Sequence, residues 1–201
     1  MDNGITDSVD QARRVLIVLF DEVELLDFAG PYDVLSLVAT DEGRSLCSIR
    51  TAAEAPIISC RGGLRVHVDS SLTDAGPADL ILVPGGPGAR HITNGQQKLV
   101  TFLQRCGERA PLVASVCTGA FLLARAGLLD RGPATTHPHR LEQFAAEFPD
   151  IAVERSKIVD RGRIITSGGI TSGIDLALHI VERWFGAGYR HRVARRLDGP
   201  W

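Results

Sequence analysis

The chain has 201 residues, of which 44% are hydrophobic and 23% charged, and a formal net charge of −2. That length supports one α/β domain with a substantial core, and the charge balance gives no support to nucleic acid as the main partner. No apolar run reaches membrane-spanning length, so no membrane partner is expected.

Residues 1–12 open on a polar, acidic stretch, Met1-Asp-Asn-Gly-Ile-Thr-Asp-Ser-Val-Asp10, without the basic start and apolar core of a signal peptide. They are expected to be a flexible extension, and residues 13–201, which show no linker, a single domain. The four cysteines, Cys47, Cys60, Cys106 and Cys117, make no C-x-x-C pair and show no zinc spacing. Free thiols, a cytoplasmic location and no metal or organic cofactor are the expectations.

Arg13 to Phe20 is a continuous apolar run of strand length, the pattern of a strand buried on both faces of a parallel sheet. Pro31 suits the first turn of a helix running to Val38, which leaves Asp27 in the loop after the first strand. Residues 45–51, 57–60 and 64–68 read as short strands, the last two joined by the turn Arg61-Gly-Gly63. Cys47 and Cys60 read as packing residues and His67 as a strand residue. Asp79 to Val83 is another buried strand. It ends in Pro84-Gly-Gly-Pro-Gly88, which lacks the Lys-Ser or Lys-Thr of a phosphate loop and does not fit the dinucleotide pattern. These glycines make either a tight turn or a loop whose bare N–H groups approach a substrate. Gln96 to Arg109 reads as a surface helix with Val100, Phe102, Leu103 and Cys106 inward.

The stretch 111–128 organises the chain. Leu112 to Val116 is a buried strand, Gly119 to Leu128 a helix rich in Ala and Leu, and Cys117 sits at the join. A cysteine there projects from the sheet edge where open α/β folds bind ligands, and the helix end favours its thiolate. The small residues around it suit a sharp nucleophile turn; the competing reading is a buried core cysteine.

Downstream, Ala134-Thr-Thr-His137 leads into a helix from about His139 to Phe148. His137 is a general acid–base candidate or a loop histidine bonded to backbone, and His137-x-His139 is too thin for a metal site. Ile158 to Ile165 reads as a hairpin around Asp160-Arg-Gly162. Thr166-Ser-Gly-Gly169-Ile-Thr-Ser-Gly173 opens a helix, by capping it or by binding an anionic group. The basic tail Tyr189 to Arg196 reads as a solvated helix face. Strands alternate with helices, the pattern of a three-layer α/β domain.

Several segments together resemble the ThiJ/PfpI superfamily: Ser115-Val-Cys117-Thr-Gly-Ala120, Ala126-Gly-Leu-Leu129, Ala134-Thr-Thr-His137, Val83-Pro-Gly-Gly86 and Gly168-Gly-Ile-Thr-Ser-Gly-Ile-Asp175. The resemblance spans about residues 13–185. It implies a flavodoxin-like, class I glutamine amidotransferase-like sandwich with a mostly parallel central sheet, a strained cysteine at the nucleophile turn, and a homodimer. Leu26-Asp27-Phe-Ala-Gly-Pro-Tyr-Asp-Val-Leu35 is similar to the isonitrile hydratases. That likeness implies a lyase acting on a small molecule, with Asp27, Cys117 and Thr118 catalytic and Gly85, Gly86, His137, Gly169 and Ile170 binding substrate. It further implies that N–H groups near Gly86 and Thr118 hold developing charge. The hydratases generally carry tryptophan where this chain has Pro138. Two alternatives stay open: a glyoxalase- or deglycase-like activity on 2-oxoaldehydes, and a ligand- or redox-sensing domain related to the sensing halves of AraC-type regulators. Thr118 stands where the protease-like branch has histidine, so peptidase activity is not expected.

Overall fold

The computed structural model describes residues 11–90 and 97–201; the expectation for residues 1–10 lies outside them. The chain runs β1 (Arg13–Val18), α1 (Leu25–Ser36), β2 (Cys47–Ala53), β3 (Ile57–Ser59), β4 (Arg65–His67), β5 (Ser70–Ser71), β6 (Leu80–Val83) and α2 (Gln97–Gly107). It continues through β7 (Leu112–Val116), α3 (Gly119–Arg125), β8 (Pro133–Ala134), α4 (Leu141–Glu147), β9 (Ala152–Val153), β10 (Ile158–Asp160), β11 (Ile164–Ser167), α5 (Ser172–Phe185) and α6 (Ala187–Leu197).

Seven strands make the central sheet in the order β10-β11-β7-β6-β1-β2-β5. All pairs are parallel except β10 with β11. Helices flank the sheet: α5 packs on both α1 and α6, and α3 packs on α2, β6 and β7. This is the flavodoxin-like α/β architecture that the sequence predicts. The reason is visible in the strands: every residue of β6 and β7 is buried, so both faces of the centre need helical cover.

From β1 the chain moves first to β2 on one side and later to β6 on the other. That reversal opens a crevice at the carboxyl ends of the strands. The register brings these ends level, with Val83 opposite Ser115 and Ser167 opposite Val116. The segments that follow, with Gly85, Cys117 and Gly168, therefore emerge side by side.

Several boundaries differ from expectation. Asp27 lies in the first turn of α1, not in a loop, and Pro31 is inside that helix rather than at its start. The helix begins early because Glu24, extended, donates its N–H to Gly85 O at 2.9 Å. Pro31 is tolerated six residues in, its ring packing against Gly173. The helix after Cys117 stops at Arg125; Gly127 is left-handed and Leu128 N–H closes back on Leu123 O at 3.0 Å. Residues 138–140 form a 3-10 turn ahead of α4. The basic tail is helical, but α6 buries Val193 and Ala194 and is not merely solvated. The two-residue strands β5, β8 and β9 carry too little pattern to be predicted. Cys47 and Cys60 are buried packing residues, and His67 lies in β4 of the predicted hairpin.

Candidate active site

Cys117 follows β7 directly and has φ of 57°, a left-handed backbone that β-carbon residues rarely adopt. The turn is held from three sides. Cys117 N–H is shared between Ser167 O at 3.1 Å and Gly168 O at 2.8 Å, and its C=O accepts from Thr136 Oγ1 at 2.9 Å. A Cβ at Gly119 would collide with the Val83 carbonyl, so only glycine lets α3 start this close to β6.

Asp27 reaches the same point from α1. It is fully buried. Its Oδ2 accepts the Gly85 N–H at 2.9 Å, while Oδ1 is buried with no hydrogen-bond partner. The carboxyl and the Cys117 thiol interact directly. Gly85 has no room for a side chain: a Cβ there would lie 2.7 Å from Thr118 Oγ1 and 2.9 Å from Asp27 Oδ2.

Burial sets the ionisation of this pair. It pushes the Asp27 carboxyl up to about 7, against the Gly85 N–H and the thiol, with the Glu24 charge adding to the rise. Burial likewise pushes the Cys117 thiol up to about 12, and the Asp27 charge adds to it, while the Thr118 N–H favours the thiolate. The first proton the pair loses leaves Asp27, near 7, while the thiol keeps its own, the ionisation of a general base set beside a thiol.

One expectation is corrected. The Gly86 N–H and the Thr118 hydroxyl are not free to hold charge on a substrate. Gly86 N–H donates to Thr118 Oγ1 at 2.9 Å, and Thr118 Oγ1 donates to Gly86 O at 3.0 Å. The Gly85 N–H is consumed by Asp27. The hydroxyl fastens the glycine loop, and the Thr118 N–H is the donor directed at sulfur.

His137 caps the 3-10 turn, its Nδ1 accepting from His139 N–H at 3.2 Å. Gly169 lies against its ring: a Cβ there would meet Cδ2 at 2.6 Å. Burial lowers the His137 pKa, followed by the cations His139, Arg140 and Arg90, with Glu24 opposing. Ile170 is half-buried in the segment leading to α5. These three residues border the loops around the pair, and no hydrogen bond joins them to Cys117 or Asp27.

Four residues at the mouth are missed by sequence reasoning: Glu24, Arg61, Arg90 and Arg140. Arg61 Nη1 pairs with Glu24 Oε2 at 2.7 Å, and both Arg61 and Arg90 lie within electrostatic reach of a thiolate at Cys117. Single arginines in loops carry no local signal of such a role. A cavity of about 880 Å³ lies elsewhere, lined by Leu16, Leu72, Ile81, Phe102 and Cys106, and no predicted site residue borders it. Paired titratable groups locate chemistry better than volume does, so the candidate site is the Cys117–Asp27 pair. Among the described residues, no group of three or more His, Cys, Asp or Glu side chains is placed to hold a metal ion.

A flavodoxin-like sheet with a left-handed cysteine at a strand-to-helix turn, facing a buried carboxyl, defines a cysteine-elbow α/β protein. Residues 13–183 match the DJ-1/PfpI family, and the chain belongs to it. It is 31% identical to the isonitrile hydratase of Pseudomonas putida over 93% of this chain and 78% of that one. It is also 31% identical to the HTH-type transcriptional regulator GbdR of Pseudomonas aeruginosa over 91% of this chain, which spans half the regulator's length. Drosophila melanogaster DJ-1beta superimposes with a TM-score of 0.80 over 95% of this chain and all of that one, at 23% identity, a likeness of fold.

Proposed function

We propose that the protein is an isonitrile hydratase-like lyase that adds water to an isocyanide to give an N-substituted formamide. The observation that carries this reading is the buried Asp27 carboxyl facing the Cys117 thiol with Oδ1 unpartnered. Cys117 is only 5% exposed, which suits a slender, rod-like terminal N≡C group better than a branched electrophile.

In the proposed sequence, Asp27 takes the thiol proton as sulfur adds to the terminal carbon, and returns that proton to the same carbon. The product of this half is a thioimidate, R–N=CH–S–Cys117. Asp27 then takes one proton from water as its oxygen adds to that carbon, and passes it to the nitrogen. As the C–S bond breaks and the C=O forms, Asp27 carries the remaining hydroxyl proton to sulfur, and the formamide leaves. The sum is one isonitrile plus one water. The Thr118 N–H supports negative charge on sulfur in both halves. An Asp27 near 7 is matched to this double role.

The test is turnover of cyclohexyl isocyanide and other isonitriles by the wild type, Cys117→Ala and Asp27→Asn, with formamide read by mass. Wild-type turnover abolished in both variants supports the proposal. A wild type inert toward every isonitrile overturns it.

A further inference from the structure

Helix α2 carries more apolar surface than it buries. Leu99, Val100 and Leu103 are buried, and the helix packs mainly on α3. Phe102 and Cys106, one turn apart, make a second apolar stripe that is only half-buried. Both line the cavity of about 880 Å³. Leu16 of β1 and Ile81 of β6, which are register partners, line it from the sheet. Leu72, Pro77 and Ala78 line it from the segment between β5 and β6. Ala78 and Ala110 come just before β6 and β7, so the cavity lies toward the amino ends of these strands. Gly85 and Cys117 follow their carboxyl ends, which makes this a separate place in the fold.

Protein interiors are closely packed, and a space of this size exceeds any packing defect. It falls within the range of about 300–1,000 Å³ that small-molecule sites occupy. The charges around it are uneven. Lys98, Arg105 and Arg109 line it and are exposed, against one lining carboxylate, Glu54. Lys98 and Arg105 are two turns apart on α2, and Arg109 follows its end. Two further acids lie next in sequence to lining residues. Asp79 is answered by Arg14 at 2.8 Å, and Asp74 accepts from Ser71 Oγ at 2.6 Å. Glu108 lines a different recess, beside Gly127 and Leu128. With Asp74 counted, the cations still outnumber the acids. Among the described residues, none of the three cations forms an ion pair.

We infer that this cavity binds a small apolar molecule with a single anionic head, its chain against Leu16, Ile81 and Phe102 and its carboxylate or phosphate at the rim with Arg105 and Arg109. The chain gains by leaving water, and the head gains charge-assisted hydrogen bonds from guanidinium groups that have no other partner. The site is independent of Cys117 and stands whether or not the protein hydrates isonitriles.

The test titrates the whole protein with decanoate, decyl phosphate and decan-1-ol, below micelle-forming concentrations, with affinity and stoichiometry read by calorimetry. One anion per chain is expected, bound about tenfold more tightly than the alcohol. The tighter of the two anions identifies the head. In parallel, the thiols are alkylated with N-ethylmaleimide and followed by peptide mass. Bound decanoate should slow alkylation of Cys106 several-fold and leave that of Cys117 unchanged. The double variant Arg105→Gln/Arg109→Gln should bring decanoate down to the affinity of the alcohol. Thr101→Trp, which puts an indole at the rim from an exposed lining position, should weaken all three ligands. Melting curves confirm that both variants are folded. Absence of saturable binding, or binding that leaves Cys106 unprotected, overturns the inference. So does an alcohol that binds as tightly as both anions.

Discussion

The Asp27 side chain links pH to both rate and stability. Its carboxyl, raised to about 7 by burial, must be ionised to act as a base, so kcat/KM is expected to rise with pH through about 7. No second rise from free thiolate is expected below about 12, and a pH–rate profile shows both features. The stability sign is the opposite. A folded pKa above the ordinary 3.8 means the native state holds the proton more tightly than the unfolded chain. Its contribution is full below that ordinary value and is lost as pH rises through about 7. Asp27→Asn should remove this slope and raise stability well above pH 7 by about 4 kcal/mol, read by denaturant midpoints on either side of the transition. Thr118→Val, which loses both bonds to Gly86, should cost ~1–3 kcal/mol and loosen the glycine loop. Cys117 is legible as a candidate because a strand-end cysteine stands out in the sequence, whereas Asp27 is legible only through the likeness of Leu26 to Leu35 to the isonitrile hydratases. The saturation of Thr118 is not, because its partner is 32 residues away and local pattern is blind to it.

At the scale of elements, the helix that carries Asp27 shows where local rules give way. Proline at position 31 is a good helix opener, so the rule starts the helix there. The Glu24 to Gly85 bond and the Pro31 ring against Gly173 start it a turn and a half earlier. Buried strands are the most legible elements, since β6 is apolar throughout and β7 is interrupted only by Ser115. On the other side of the elbow, α3 and α4 are locked by Phe121, Phe144 and Phe148, whose ring centroids lie 4.8, 5.2 and 6.0 Å apart. Phe121 and Phe144 are fully buried. Phe144→Ala should destabilise the fold by about 3–5 kcal/mol in a denaturant titration. Its alkylation rate at Cys117 should change little, because the elbow is held by β11 and Thr136 rather than by α4.

Over the whole molecule, the predicted site residues follow the ends of β1, β6, β7 and β11, which one parallel register brings level. Protection against hydrogen exchange should be greatest in β1, β6 and β7 at the sheet centre. It should be least in the β3–β4 hairpin, which stands outside that sheet. Fast exchange in β6 or β7 would contradict the burial of every residue in these two strands.

The clasp of Cys117 N–H on Ser167 O and Gly168 O also orders events during synthesis. A nascent chain that has just left the ribosome with its thiol exposed still lacks the last parallel strand, and so has no elbow. Its sulfur then has the acidity of a cysteine in a flexible peptide and has no base fixed beside it. The chain arms its own nucleophile only once residues 164–168 have joined the sheet beside β7.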